Sequence, residues 1–365
     1  MSCWQSAPAD IICDIGESLL DSNGHDSYVA MRYVCSLWRS AISSYQRLFV
    51  RAHRWIVLEE INEFSDCAVH RVLVNLSTGR MVKRRIPLLN DHVYVGSSDG
   101  LLILVEKSEP YFVKLWEPFT GYLVQFAAGI IHQQPSHFAV ETHGVPRLFH
   151  APGGLRNPQV MCYDVSNGNM EVRFGDMPVE RVASMTAYKS DVFVLFHNRQ
   201  LFKITGAGHE MHGEFILIHE APTLAPSAMT HYLVVSGGGN LLIVVIGIAE
   251  ILIFCVDVDL RTAVRIYNIG SQALFLSNTR CIAVNAENFP TVKENCVYQA
   301  CISGYSGPCG IYEFSLTRPR KRKIYHQSFA NEVTYALGGR PLSMWQVLIH
   351  YCLFRNKCRR PLSQV

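Results

Sequence analysis

The chain has 365 residues, of which 49% are hydrophobic and 17% charged, enough apolar content for a buried core and too much for disorder. A formal net charge of +3 is too small to imply a nucleic-acid partner by itself. The twelve cysteines include no paired CxxC, so they read as free thiols packed as small hydrophobes in a reducing compartment.

The opening "MSCWQSAPADII" lacks the basic start and long apolar run of a secretory signal, so a cytoplasmic and/or nuclear location is expected. Pro8 suits the first turn of a helix. Ile11, Ile12, Ile15 and Leu19 then form one apolar stripe at helical spacing. Gly16 inside it costs about 1 kcal/mol relative to Ala, so this helix leans on packing. After the turn residues of "DSNGHD" (21–26), Val34, Leu37, Trp38 and Ala41 lie at i, i+3, i+4 and i+7, which predicts a second apolar face. So few residues bury little alone, and the module needs a partner surface. That surface is either another protein or the rest of the chain, which the helices would then cap.

Strands and turns follow. "VLVNLSTGRMVKR" (72–84), "KLWEPFTGYLVQF" (114–126) and "MCYDVSNGNMEVRF" (161–174) share one pattern of strand, turn, glycine and strand. Their glycines, Gly79, Gly121 and Gly168, are 42 and 47 residues apart. Similar hairpins are read at 201–215, 254–267 and 310–326. Further strand pairs turn at Ser98–Gly100, Lys189–Asp191, His197–Arg199 and the three glycines of "SGGGN" (236–240). The most apolar run, 241–256, is shorter than the roughly 20 residues of a spanning helix, and reads as two strands around Gly247–Glu250. A period of about 40–50 residues with four strands per unit is that of a propeller blade. Six outer hairpins suggest about six blades, with a long β-sandwich assembly as the alternative.

Enzyme signatures do not appear. "HEMH" places His209 and His212 three apart rather than four, and "SGGGN" is explained by a hairpin. Cys281, Cys296, Cys301 and Cys309 are the densest cysteines but lack a zinc-like spacing. No metal and no cofactor is expected. The basic run "RPRKRK" (318–323) reads as a solvated turn of the last hairpin, or else as a nuclear import signal or a nucleic-acid or acidic-partner patch; "KRR" (83–85) is a weaker case. In the tail (340–365), Trp345, Leu348, Cys352 and Leu353 could form a short apolar face, either packed on the β-domain or exposed.

Two stretches carry a resemblance. Residues 4–42 resemble the F-box, with Pro8, Ile11, Ile12, Ile15, Val34, Cys35, Trp38 and Arg39 at matching positions. Ala7 departs from the pattern, which usually has Leu there. Residues 270–316 are similar to the C-terminal signature of a large plant F-box family with a kelch-like "domain of unknown function 295". Gly270, Ala273–Leu276, Phe289-Pro290, Asn295-Cys296, Tyr298, Ile311-Tyr312 and Phe314 carry that signature. The resemblance implies a mainly β chain: a three-helix F-box at 1–45, a β-propeller at 51–330 and a tail at 331–365. It implies a non-catalytic subunit of an SCF-type cullin-RING ubiquitin ligase. The eight matching residues would contact a Skp-type adaptor, and through it a cullin, or support that face. The propeller would hold an unknown target protein, with no nucleic acid and no transmembrane segment. The alternative is a propeller interaction protein with a degenerate F-box. A propeller hydrolase would need a polar constellation over the channel.

Overall fold

The structure is a computed structural model. It describes residues 7–21, 25–32, 34–42, 55–58, 70–76, 78–98, 101–117, 121–129, 136–142, 144–152, 159–165, 168–175, 180–207, 210–218, 229–247, 250–277, 280–301, 310–317, 320–326 and 348.

Three short helices open the chain: α1 (Ala9–Asp21), α2 (His25–Arg32) and α3 (Ser36–Ala41). From residue 55 to residue 326 the described residues are β-sheet joined by turns and one-turn 3-10 helices. Six sheets follow in chain order, and each is one blade.

Blade 1 holds β1 (Trp55–Leu58), β2 (His70–Asn75) and β3 (Met81–Arg85). Blade 2 holds β4 (His92–Ser98), β5 (Leu101–Glu106), β6 (Phe112–Trp116) and β7 (Leu123–Gly129). Blade 3 is β8 (Ser136–Glu141), β9 (Arg147–Pro152), β10 (Met161–Asp164) and β11 (Gly168–Glu171). Blade 4 is β12 (Val182–Tyr188), β13 (Asp191–Phe196), β14 (Gln200–Ala207) and β15 (Glu210–Ile218). Blade 5 is β16 (Thr230–Val235), β17 (Leu241–Ile246), β18 (Ile251–Asp257) and β19 (Thr262–Ile266). Blade 6 holds β20 (Gln272–Leu276), β21 (Cys281–Asn285), β22 (Cys296–Cys301), β23 (Gly310–Ser315) and β24 (Arg320–His326).

Six apolar seams close these sheets into a ring. Blades 1 and 2 share Trp55, Leu73, Tyr94 and Leu102. Blades 2 and 3 share Val95, Ile103, Val140 and Leu148. Phe149 and Cys162 meet Val194 and Phe202 between blades 3 and 4, and Phe193 and Leu195 meet Leu241 and Ile243 between blades 4 and 5. Tyr232 and Val244 pack on Leu274 and Val297 between blades 5 and 6. The last seam returns to the first blade, with Phe275 and Tyr298 against Ile56 and Val74. Leu348, fully buried, belongs to this closing seam. The tail therefore packs on the propeller at that residue, and its other apolar candidates lie outside the described residues.

Covering both faces of a strand explains the unbroken apolar runs. Every residue of β17 is buried, because blades flank it on either side. The run 241–256 is thus two paired strands, closed by the amide of Gly247 donating to the carbonyl of Glu250. All six hairpins expected as outer pairs are outer pairs: β2–β3, β6–β7, β10–β11, β14–β15, β18–β19 and β23–β24. Gly79, Gly121 and Gly168 turn three of them with φ of 69°, 75° and 77°, a region that disfavours residues with a Cβ. A Cβ on Gly79 would also collide with the carbonyl oxygen of Asn288, so blade 1 is locked onto blade 6 there.

Two expectations need correction. The blades are not uniformly four-stranded: among the described residues blade 1 has three strands and blade 6 has five. Blade 6 departs because β22 pairs parallel to β20, leaving β21 on the inner side of the sheet. The second correction concerns "RPRKRK". Arg320, Lys321 and Arg322 are not in a turn but begin β24, the outermost strand of blade 6. Residues 318–319 lie outside the described residues.

Candidate interaction sites

The helical module has a core of its own. Ile12, Tyr28, Met31, Trp38 and Ile42 are buried together, with Ala7, Ile15, Leu19, Cys35 and Ala41 packed around them and no strand residue among them. The Tyr28 hydroxyl donates to the Ile42 carbonyl at 2.9 Å and ties α2 to the end of α3. Gly16 has a physical reason: a Cβ there would lie 3.3 Å from Ile42 and 3.5 Å from Tyr28. Its cost in helix propensity is the condition for close approach.

The matching residues divide into two groups. Pro8 is exposed and its carbonyl accepts from the Ile12 amide, opening α1. Ile12 is fully buried, and Ile15 packs beside it. Cys35 caps α3 in an extended conformation and its carbonyl accepts from the Arg39 amide at 3.0 Å; Arg39 itself is exposed. Trp38 is buried in the module. Ile11 and Val34, in contrast, are 45% and 54% exposed, and so is Leu37 at 43%. The stripe expected on α3 therefore splits: Trp38 and Ala41 face inward while Val34 and Leu37 face out.

The centre of the propeller is occupied by its own chain. Ser277 and Arg280 close the β20–β21 hairpin, where the Ser277 amide donates to the Arg280 carbonyl at 3.1 Å. Arg280 Nη2 donates to the carbonyl of Val95 on β4 at 2.7 Å, and its guanidinium lies 5.1 Å from the Tyr94 ring centre. The Cys281 side chain, one residue on, is hydrogen-bonded to Ser184 on β12. Strand β21 also packs beside β16. One strand that meets the inner strands of blades 2, 4 and 5 can only lie in the middle of the ring. Burial pushes the Cys281 thiol up to about 12, against the smaller opposing effect of hydrogen bonds with Ser277 and Ser184, so it stays a protonated thiol at neutral pH.

On one end of the ring, the starts of the inner strands of blades 3 and 5, on either side of blade 4, carry histidines. His137 stands near the start of β8 and His231 near the start of β16. His197 lies between them in the β13–β14 turn, where its amide donates to the Arg181 carbonyl at 3.0 Å. Burial, with the nearby His197 adding to it, lowers both His137 and His231 to about 4; Arg199 pushes His231 the same way. These imidazoles are neutral at physiological pH. Among the described residues no three His, Cys, Asp or Glu side chains converge as a metal site. Cys309 and the side chain of Cys301 fall outside that statement. The described residues include no helix long and apolar enough to cross a membrane.

A six-bladed β-propeller preceded by a compact helical unit is the class this geometry defines. The KIB1-4 beta-propeller family matches residues 73–316, from β2 to the end of β23, and the chain belongs to that family. No curated protein matches it. Among solved structures, the dihydro-heme d1 dehydrogenase NirN in complex with DHE is 12% identical, with a TM-score of 0.37 over 77% of this chain. That match spans only 56% of NirN. A Lactobacillus plantarum protein is 11% identical with a TM-score of 0.37, covering 75% of this chain and 82% of that one. A Bacteroides thetaiotaomicron protein is 12% identical with a TM-score of 0.36, over 74% and 66% of the two chains. Likenesses this distant carry nothing about function.

Proposed function

We propose that this protein is the substrate-recognition subunit of an SCF-type cullin-RING ubiquitin ligase. Residues 1–45 act as an F-box that binds a Skp-type adaptor, and the propeller of 51–330 holds a target protein. The chain itself catalyses nothing. It raises the effective concentration of a bound target near the ubiquitin-charged enzyme, so its contribution is positional. A cytoplasmic and/or nuclear location fits that role.

The observation that carries this reading is the division of apolar side chains in the helices. A unit this small has already used Ile12, Tyr28, Met31, Trp38 and Ile42 to hold itself together. Ile11, Val34 and Leu37 remain in water, where burying each against a partner would contribute about 1.5–3 kcal/mol. Capture of a Skp-type adaptor, with charged substitutions at these three positions, is the test.

Ala7 favours a second reading. It packs against the module core, and a leucine would fill more of that edge. If the smaller residue leaves the adaptor face incomplete, the protein is a propeller interaction module whose helices no longer join a ligase.

A further inference from the structure

The three most exposed large apolar side chains among the described residues fall within eight positions of one blade. Leu260 in the β18–β19 turn is 73% exposed, Val264 in β19 is 62% and Tyr267, just past that strand, is 69%. Outer strands elsewhere present polar groups: the exposed positions of β11 are Asn169 and Glu171, and those of β15 include Glu210 and His212. A single apolar side chain at a surface needs no explanation. A cluster on an outermost strand invites association unless something covers it.

This ridge borders an apolar trough. Val264 stands opposite Cys255 and Ile266 opposite Ile253 in the β18–β19 register, which places them on the side of blade 6. Cys255 and Ile266, with Tyr312 and Leu316 of blade 6, are half-buried against the seam between the two blades. The Lys321 ammonium, 4.4 Å from the Tyr312 ring centre, stands at the rim. On the other side, Arg261 ties the turn to blade 4: its Nη1 donates to the Phe215 carbonyl at 3.1 Å, and its guanidinium pairs with Glu214. Charge also changes along the ridge. Asp257 and Asp259 are exposed at its turn end, near the cation Lys189. Arg265 is exposed toward the other end, its guanidinium 4.7 Å from the Tyr267 ring centre. A ridge beside a trough, acidic at one end and basic at the other, is complementary to itself when turned through a half circle.

We propose that the outer face of blade 5, β19 with the β18–β19 turn, is the contact of a two-fold symmetric dimer of this chain. In an antiparallel arrangement the ridge of each copy enters the trough of the other, and each Arg265 approaches the carboxylates at the other copy's turn. The ridge alone offers on the order of a few hundred Å², less than the roughly 800 Å² per partner of a stable interface. The trough adds to it on both copies and brings the contact to the small end of that range, so the dimer should dissociate on dilution. A membrane surface fits less well, because anionic headgroups would meet Asp257 and Asp259. The formal net charge of +3 is too small to hold two copies apart. This contact does not depend on the helices joining a ligase.

Sedimentation equilibrium of the full chain under reducing conditions, from about 1 to 100 micromolar, is the test. We expect the mass to rise with concentration from 41.2 kDa toward twice that value and no further. Val264→Asp should weaken association at least ~10-fold. Tyr267→Ser, outside the strand, gives an independent loss should a charge in β19 disturb the sheet. Leu123→Asp, at an exposed apolar position on blade 2, leaves the mass unchanged. A monomer at every concentration overturns the proposal, and so does equal weakening by Leu123→Asp. A mass that climbs past the dimer means an open, head-to-tail contact and overturns it as well. Dissociation by Ile11→Asp, Val34→Asp and Leu37→Asp together would move the contact to the helices and contradict it.

Discussion

Arg280 on blade 6 donates a hydrogen bond of 2.7 Å to the backbone carbonyl of Val95 on blade 2, across 185 residues of chain. The bond skips blade 1, so it spans the centre of the ring rather than a seam. With Cys281 reaching Ser184, it makes the start of β21 a plug in the channel.

Arg280→Met keeps much of the side-chain volume and removes the charged donor. Hydrogen bonds to charged groups contribute about 1.5–3 kcal/mol, so the variant should lose on the order of 2 kcal/mol. Urea denaturation checks this through a lower midpoint at unchanged slope. An unchanged midpoint would mean the plug contributes nothing to the ring.

Leu348 tests whether the tail helps close the ring. It is fully buried between blades 6 and 1, and truncating such a leucine to alanine costs about 2–5 kcal/mol. Leu348→Ala should lower the denaturation midpoint well beyond the effect of a surface substitution, which lies within about 0.5 kcal/mol. A change no larger than that would detach the tail from the seam.

His231 and His137 make stability depend on pH. Their folded values of about 4 lie below the ordinary 6.5, so the unfolded chain binds more protons between those limits. Their contribution is complete above about pH 6.5 and is lost as pH falls toward 4. Buried His231 alone should account for roughly 1–3 kcal/mol across that window. His231→Gln should flatten the fall in melting temperature between pH 7 and 5, and an unaltered slope would place the proton uptake elsewhere.

The outer hairpins were readable because their signals are local: a glycine at positive φ between two alternating strands marks itself. Blade 6 was not readable in the same way. The hairpin 270–285 resembles any other in sequence, and only pairing across β20 to β22 sends β21 into the centre. The basic run misled for a related reason, since six charged or turn-forming residues look like a loop until β23 supplies the partner strand. In the helices, the spacing of Val34, Leu37 and Trp38 fixes a stripe but not its depth. On a six-residue helix that stripe covers much of the circumference, and packing against Ile12 and Tyr28 decided which part turned inward.

The ligase role is tested most directly by binding of a purified Skp-type adaptor to the purified chain. Ile11→Asp, Val34→Asp and Leu37→Asp alter exposed positions, so the module should keep its helical signal. Ile12→Ala and Trp38→Ala are poorer choices, because core truncations of about 2–5 kcal/mol can unfold the unit. We predict that the wild type binds the adaptor and that the three exposed substitutions together weaken binding at least ~100-fold, about 2.8 kcal/mol. A wild-type chain with folded helices that does not bind, or a triple variant that binds as the wild type does, contradicts the assignment.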